Sequence, residues 1–265
     1  MTAQYNNAPA GMFYPGDPAE LARNVRTMLA DADVQTLCPK ALIAPHAGYI
    51  YSGPVAASAY ALLAPIAKQI RRVVLLGPTH RVAVHGLALP GAEAFDTPLG
   101  RVEIDLDAAR QIAHLPQVTV SPQAHALEHS LEVHLPFLQT VLPQFKLLPL
   151  AVGMATPEEV AEVLETLWGG PETLLVISSD LSHYLPYNIA KQVDGATADA
   201  ILHLKVPVLH EQACGGTPVN GLMLAARRHG LTSHLLDLRN SGDTAGPRDQ
   251  VVGYGAFAFT EPPRA

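Results

Sequence analysis

The chain predicts an α/β fold: a single-domain αβα sandwich around a central, largely parallel mixed sheet. Three observations carry the prediction. Apolar runs of strand length alternate with longer segments of helical period, the pattern of a sheet covered on both faces. Hydrophobic residues make up 48% of the 265 and charged residues only 15%, with a mean hydropathy of +0.16, which excludes a disordered chain. Polar residues gather directly after the apolar runs, where ligands of open α/β sheets bind.

In order, a first helix is predicted over Pro18–Ala32, then a strand at Lys40–Ala44. A small-residue helix over Pro54–Ala67 and an apolar strand at Arg72–Leu76 complete a βαβ unit. Short β segments at Gly86–Leu89, Arg101–Ile104 and Val118–Val120, interrupted by a helical stretch at Leu106–His114, read as a local excursion. A helical segment at Leu131–Leu142 leads to a strand at Lys146–Val152. The helix Pro157–Trp168, with Thr156 as N-cap and proline at its first position, leads to a strand at Thr173–Ile177. Helices near Ile189–Leu204 and Pro218–His229 precede the last apolar segments, His234–Leu238 and Val251–Phe259. No repeat, low-complexity tract or linker marks a boundary, so residues 1–265 read as one domain.

Lys plus Arg number 17 against 24 Asp plus Glu, a net charge of −7, and no Lys/Arg-rich run follows a phosphate backbone; nucleic acid is excluded as the expected partner. No apolar run approaches the roughly 20 residues of a membrane helix. The two cysteines, Cys38 and Cys214, make no disulfide framework, and the start lacks the pattern of a signal peptide. A reducing, cytoplasmic compartment is the expectation. What remains unexplained by composition is a surplus of 12 histidines.

Four strand ends deliver polar residues: Pro45-His46-Ala47-Gly48-Tyr49, Gly77-Pro78-Thr79-His80, Ser178-Ser179-Asp180-Leu181-Ser182-His183, and Arg239-Asn240-Ser241-Gly242-Asp243. If the strands are neighbours, these side chains converge. Asp180 reads either as the N-cap of a short helix, worth about 1 kcal/mol, or as a buried carboxylate with a cation or donor waiting. His183, three residues on, would share its helical face. Asp243 reads as a site residue or as an Asx turn.

The densest cluster is His125-Ala-Leu-Glu128-His129-Ser-Leu-Glu132-Val-His134. If helical, His125-x-x-Glu128-His129 is a zinc-peptidase pattern with Glu128 as general base. The milder reading has Glu128 and His129 facing the crevice at the start of a helix. Cys214 precedes a helix whose backbone N–H groups would lower a thiol pKa, or is structural; Cys38 reads as inert. Dinucleotide, P-loop and serine-elbow motifs are absent from the sequence.

Taken together, Gly11-Met-Phe-Tyr-Pro15, APHAGYIYSG at 44–53, LGPTH at 76–80, EHSLEVHLPFLQ at 128–139, SSDLSHY at 178–184, CGGTP at 214–218 and VVGYGAF at 251–257 resemble the MEMO family, whose prokaryotic members include AmmeMemoRadiSam system protein B. The resemblance implies a fold similar to class III extradiol dioxygenases, which hold non-haem Fe(II) with two histidines and a carboxylate. It places His46 and His80 on the family's metal-ligand histidines and Asp180 and His183 on motif positions of the same pocket, with Tyr49 and Cys214 as further pocket residues. Animal members supply a cysteine from the loop before the last strand. Residues Arg239–Asp249 contain none, so Asp243 or a water would fill that place.

The expected cofactor is therefore Fe(II), with Cu or Zn as alternatives. The expected function is dioxygenase-like oxidoreductase chemistry on a small molecule, with His183, His129 and Glu128 as acid/base residues. A non-enzymatic binding or assembly protein working with radical SAM and AMMECR-type partners is the alternative, and a zinc hydrolase the third reading.

Overall fold

The computed structural model describes residues 10–262 and the backbone of a two-residue strand before them. In chain order the strands are β1 (Gln4–Tyr5), β2 (Pro39–Ala44), β3 (Arg72–Pro78), β4 (Leu87–Leu89), β5 (Ala94–Thr97), β6 (Gly100–Glu103), β7 (Val118–Val120), β8 (Lys146–Val152), β9 (Thr173–Ser178), β10 (His183–Leu185), β11 (Thr232–Asn240) and β12 (Val251–Thr260). The helices are α1 (Pro18–Asp31), α2 (Tyr49–Tyr60), α3 (Leu106–Ile112), α4 (Pro122–Ala126), α5 (Leu135–Val141), α6 (Pro157–Thr166), α7 (Tyr187–Leu202) and α8 (Gly216–His229).

The main sheet runs β10-β12-β2-β9-β3-β8-β4-β7, with β11 pairing β12, and its centre, β2-β9-β3-β8, is parallel. Antiparallel β12 closes one flank and β4 the other. β1, β5 and β6 form a separate small sheet. Side chains alternate between two cores, as a period of two demands. Leu42, Ala44, Val73, Leu75, Leu174 and Val176 face α1, α2 and α5. Ala41, Ile43, Val74, Leu76, Leu175 and Ile177 face α3, α6, α7 and α8. Strands buried on both faces read in sequence as continuous apolar runs, which is why these four were predicted within a residue or two.

α6 carries a full capping box, Thr156 with Glu159. It packs closely on α8 because Gly221 has no side chain; a Cβ there would lie 2.3 Å from Val160 Cγ1.

Several local expectations are corrected. α2 begins at Tyr49 rather than Pro54, because the Gly48 carbonyl accepts the Tyr51 and Ser52 N–H groups and starts the helix earlier. Pro54 is tolerated inside it, and Pro65 tightens the continuation into a 3-10 turn at Ala61–Ile66. The helix predicted at Leu131–Leu142 is a tight turn at Glu132–His134 followed by α5; Pro136, in the first turn of α5, suits a helix start but not a helix interior. Residues 183–185 are a strand, not a helix. His183 and Leu185 pair with β12, and Tyr184 sits at φ 58°, outside the right-handed helical region. No helix among the described residues is long and apolar enough to cross a membrane.

Candidate metal centre

The carboxyl ends of β2, β9 and β3 lie side by side, with Ala44 in register with Ser178 and Leu76 with Ile177. The segments leaving them therefore meet: His46 two residues past β2, His80 two past β3, Asp180 two past β9. A fourth segment, Glu128–Ser130, comes in between α4 and α5. It can approach because Gly77 has no side chain; a Cβ there would stand 2.8 Å from Ser130 Oγ.

One ring nitrogen each from His46, His80 and His129 lies within 4.8 Å of the others, a cluster that could hold a metal ion. His46 is buried, His129 half-buried and His80 exposed, so the cluster reaches the surface on the His80 side. The rings of His80 and His129 stack at 4.8 Å, and Phe13 stacks on His129 at 4.3 Å.

The ring orientations are set from behind. His46 Nδ1 lies 2.6 Å from Ser178 Oγ and His80 Nδ1 2.8 Å from Glu128 Oε1, so Nε2 of each is left for a ligand. Glu128 is the organiser. Its carboxylate also accepts the backbone N–H groups of His80 (2.6 Å), His129 (2.9 Å) and Ser130 (3.0 Å), and Oε1 lies 3.5 Å from His129 Nδ1. Burial opposes its charge, but the hydrogen bonds from His80 and Ser130 outweigh burial and hold the carboxyl down to about 2. Burial holds His46 well below the usual imidazole range and His129 down to about 4, so both are neutral, the form a metal requires. Three imidazoles suit Zn, Cu, Fe or Ni, and each nitrogen donor present fits such an ion.

Among the described residues, the ring that joins His46 and His80 in this cluster is His129 rather than a carboxylate. Asp180 is buried beside the cluster but accepts the His46 backbone N–H at 2.7 Å, and burial pushes its carboxyl up to about 7. It holds the histidine loop and caps no helix. Glu128 likewise positions His80 rather than standing free as a general base. His183, on β10, lies outside the cluster; burial lowers its pKa, and the charges of His80 and His210 act in the same direction. Asp243 is spent in a turn instead: it accepts the Asn240 N–H at 3.1 Å and the Tyr187 hydroxyl at 2.5 Å, completing a capping box. Tyr49 is buried, its hydroxyl donating to the Val133 carbonyl at 2.6 Å, and packs under the histidine segment.

Cys214 Sγ lies 3.3 Å from His46 Nε2. Burial pushes its thiol up to about 12, opposite to the lowering expected from the helix that follows, because desolvation exceeds what the N–H groups supply. It borders a cavity of about 690 Å³ that also touches Thr79, Val84, Met154 and Thr217. The zinc-peptidase pair is not formed: α4 ends at Ala126, and His125 Nε2 is held by the Ala88 carbonyl at 2.8 Å, so of the two only His129 joins His46 and His80. Ser178 and His134, to which the sequence assigns no site role, prove to be wired to His46: Ser178 Oγ contacts both rings. The available signal was a serine ending an otherwise apolar buried strand.

The family model for Memo-like proteins matches residues 6–258 of this chain. A MEMO1 family protein of Methanosarcina barkeri, Mbar_A1422, is 35% identical over 267 residues, spanning 94% of this chain and 97% of its own. One from Aquifex aeolicus is 36% identical over 95% of this chain and 97% of its own, and SSO0066 of Saccharolobus solfataricus is 35% identical over 95% and 98%. The crystal structure of uncharacterized protein JW3007 from Escherichia coli K12 aligns with 81% of this chain and 98% of its own at a TM-score of 0.49 and 13% identity.

Proposed function

The chain belongs to the Memo-like protein family, and from that premise we propose that it is a metal-dependent oxidoreductase, dioxygenase-like in chemistry, acting on a small organic molecule. One observation carries the reading: three imidazoles converge at the carboxyl ends of parallel strands and reach the surface on the His80 side. Three protein ligands leave coordination positions free, as catalytic sites do and closed structural sites do not. His46, His80 and His129 would hold the ion; Fe(II) is the metal the family resemblance implies, and three imidazoles accept Cu or Zn as well. When bound, Fe(II) supplies one-electron and O₂ chemistry.

The remaining residues have separable tasks. Glu128 fixes the ring of His80 and brings a negative charge behind the site. His183, kept neutral by burial, accepts a proton from substrate. The cavity beside Cys214, lined by Val84, Val152, Met154 and Pro218 as well as Thr79 and Thr217, would receive an organic substrate.

Anaerobic reconstitution with Fe(II), followed by metal analysis of wild type, His46→Ala, His80→Ala and His129→Ala, tests the ligand set. Wild type is expected to retain iron and each variant to lose it; iron retained by all four ends the reading. O₂ consumption with a panel of catechols then tests turnover. A fully metallated protein that consumes no O₂ with any of them rejects the catechol dioxygenase assignment.

A further inference from the structure

Ser178 Oγ has three partners: His46 Nδ1 at 2.6 Å, His134 Nε2 at 2.8 Å and the Ser130 carbonyl at 2.6 Å. His134 Nδ1 in turn lies 2.7 Å from the Tyr60 hydroxyl. None of Ser178, His46, His134 and Tyr60 is more than 2% exposed, so the chain runs through dry interior. His134 and Tyr60 take no part in the metal centre.

The polarity of this chain follows from counting protons. A hydroxyl has one proton and two lone pairs. A carbonyl only accepts, so the Ser178 proton goes to Ser130. Both lone pairs then accept, and both histidine nitrogens must donate. His46 therefore carries its proton on Nδ1 and presents a bare Nε2. His134 carries its proton on Nε2, and its Nδ1 accepts from Tyr60; burial holds this ring down to about 3, so no second proton competes.

We propose that Ser178 is a positioning residue that locks His46 in the Nδ1–H tautomer needed for metal binding, as the hub of a buried chain reaching through His134 to Tyr60. The proposal deepens the metal reading above and rests on it. The competing tautomer has a destination: a proton on His46 Nε2 would face Cys214 Sγ, a weak acceptor 3.3 Å away. Without the serine hydroxyl, two buried N–H donors lose their acceptor, which a dry interior penalises. His46 escapes that penalty by moving its proton to Nε2, which blocks the lone pair a metal would use. The serine thus acts on the metal through the histidine, the arrangement by which ligating imidazoles have their free nitrogen fixed.

The test reads tautomers directly, by long-range ¹H–¹⁵N correlation on tag-free, metal-free wild-type protein. His46 is expected as Nδ1–H and His134 as Nε2–H. Co(II) affinity is then measured by chelator competition for wild type and Ser178→Ala, the fold of each checked by its amide spectrum. A folded Ser178→Ala protein should bind Co(II) about 10–100-fold more weakly, with the His46 signals shifted to Nε2–H. An Nε2–H His46 in wild type overturns the proposal without any variant. So does a folded Ser178→Ala protein that binds Co(II) as tightly as wild type. Wild type with the expected tautomers but no Co(II) uptake overturns the metal reading instead and leaves the hydrogen-bond polarity standing.

Discussion

His129 and Asp180 compete for the third corner of the centre, and one substitution of each separates them. His129 offers a ring nitrogen to the cluster, whereas the Asp180 carboxylate is engaged by the His46 N–H. Asparagine at 180 keeps an oxygen for that N–H. Asp180→Asn should therefore leave metal affinity within about threefold, while His129→Ala removes a ligand and costs more than the ~10–100-fold typical of outer partners. Isothermal titration with Zn(II) checks both, and the opposite ranking would restore a two-histidine, one-carboxylate site. At this scale the sequence was partly legible. His46 and His80 stand directly after apolar strands, so position alone marked them. His129 was hidden inside a pattern whose helical reading paired it with His125, and only the end of α4 at Ala126 breaks that pair. For Asp243 the sequence left a site role and a turn open, and its side chain serves the backbone of its own loop, as the turn reading has it.

Among the elements, α3 is tied to β3 by a single carboxylate. Asp105 caps α3 by accepting the Ala108 N–H at 2.9 Å, and its other oxygen accepts from Arg72 Nε at 2.7 Å. Burial alone would raise its pKa; the Ala108 N–H and the Arg72 guanidinium, with Lys146 nearby, bring it below the usual carboxylate value. A folded-state value below the unfolded one places the stabilisation above the unfolded pKa of about 3.9, and it is lost as pH falls through the folded value. Asn caps a helix as well as Asp does, so Asp105→Asn removes chiefly the charge. The variant should be less stable by about 1–2 kcal/mol at pH 7, the gap narrowing as pH falls below the unfolded value. Urea melts across that range check it; a gap independent of pH would show that the charge contributes nothing. The cap of α6, Thr156, lies in local sequence and was read there, whereas Asp105 was not singled out as the cap of α3. β5 and β10 were not read there either: Ala94–Thr97 and His183–Leu185 are no apolar runs, and their extended form comes from pairing with β6 and β12.

For the whole molecule, the two ends of the sheet divide the labour between binding and stability. The central strands were legible as apolar runs, but their order was not, since pairing joins β2 to β9 across more than a hundred residues. That order puts all the candidate ligands at the carboxyl ends. At the opposite end Lys40, only 6% exposed, enters β2 and donates to the carbonyls of Trp168 (2.5 Å), Gly170 (2.9 Å) and Thr173 (2.9 Å). Trp168 stacks on His229 of α8 at 3.7 Å, so one ammonium joins β2, the α6–β9 connection and, through the indole, α8. Burial lowers the Lys40 pKa to about 8, which leaves the amine charged at neutral pH. Lys40→Met keeps the aliphatic stem and strips all three acceptors of their donor at once. Each stranded carbonyl costs about 1–3 kcal/mol, partly offset by no longer desolvating a charge, so a net loss of about 2–4 kcal/mol is expected. Because the strands form one hydrogen-bonded sheet, the loss should lower the urea midpoint with the slope unchanged. Metal affinity, set at the far ends of the same strands, should stay at the wild-type value. A Lys40→Met protein as stable as wild type would mean that the three carbonyls are served by water, and one that also loses metal would mean that the two ends of the sheet are coupled.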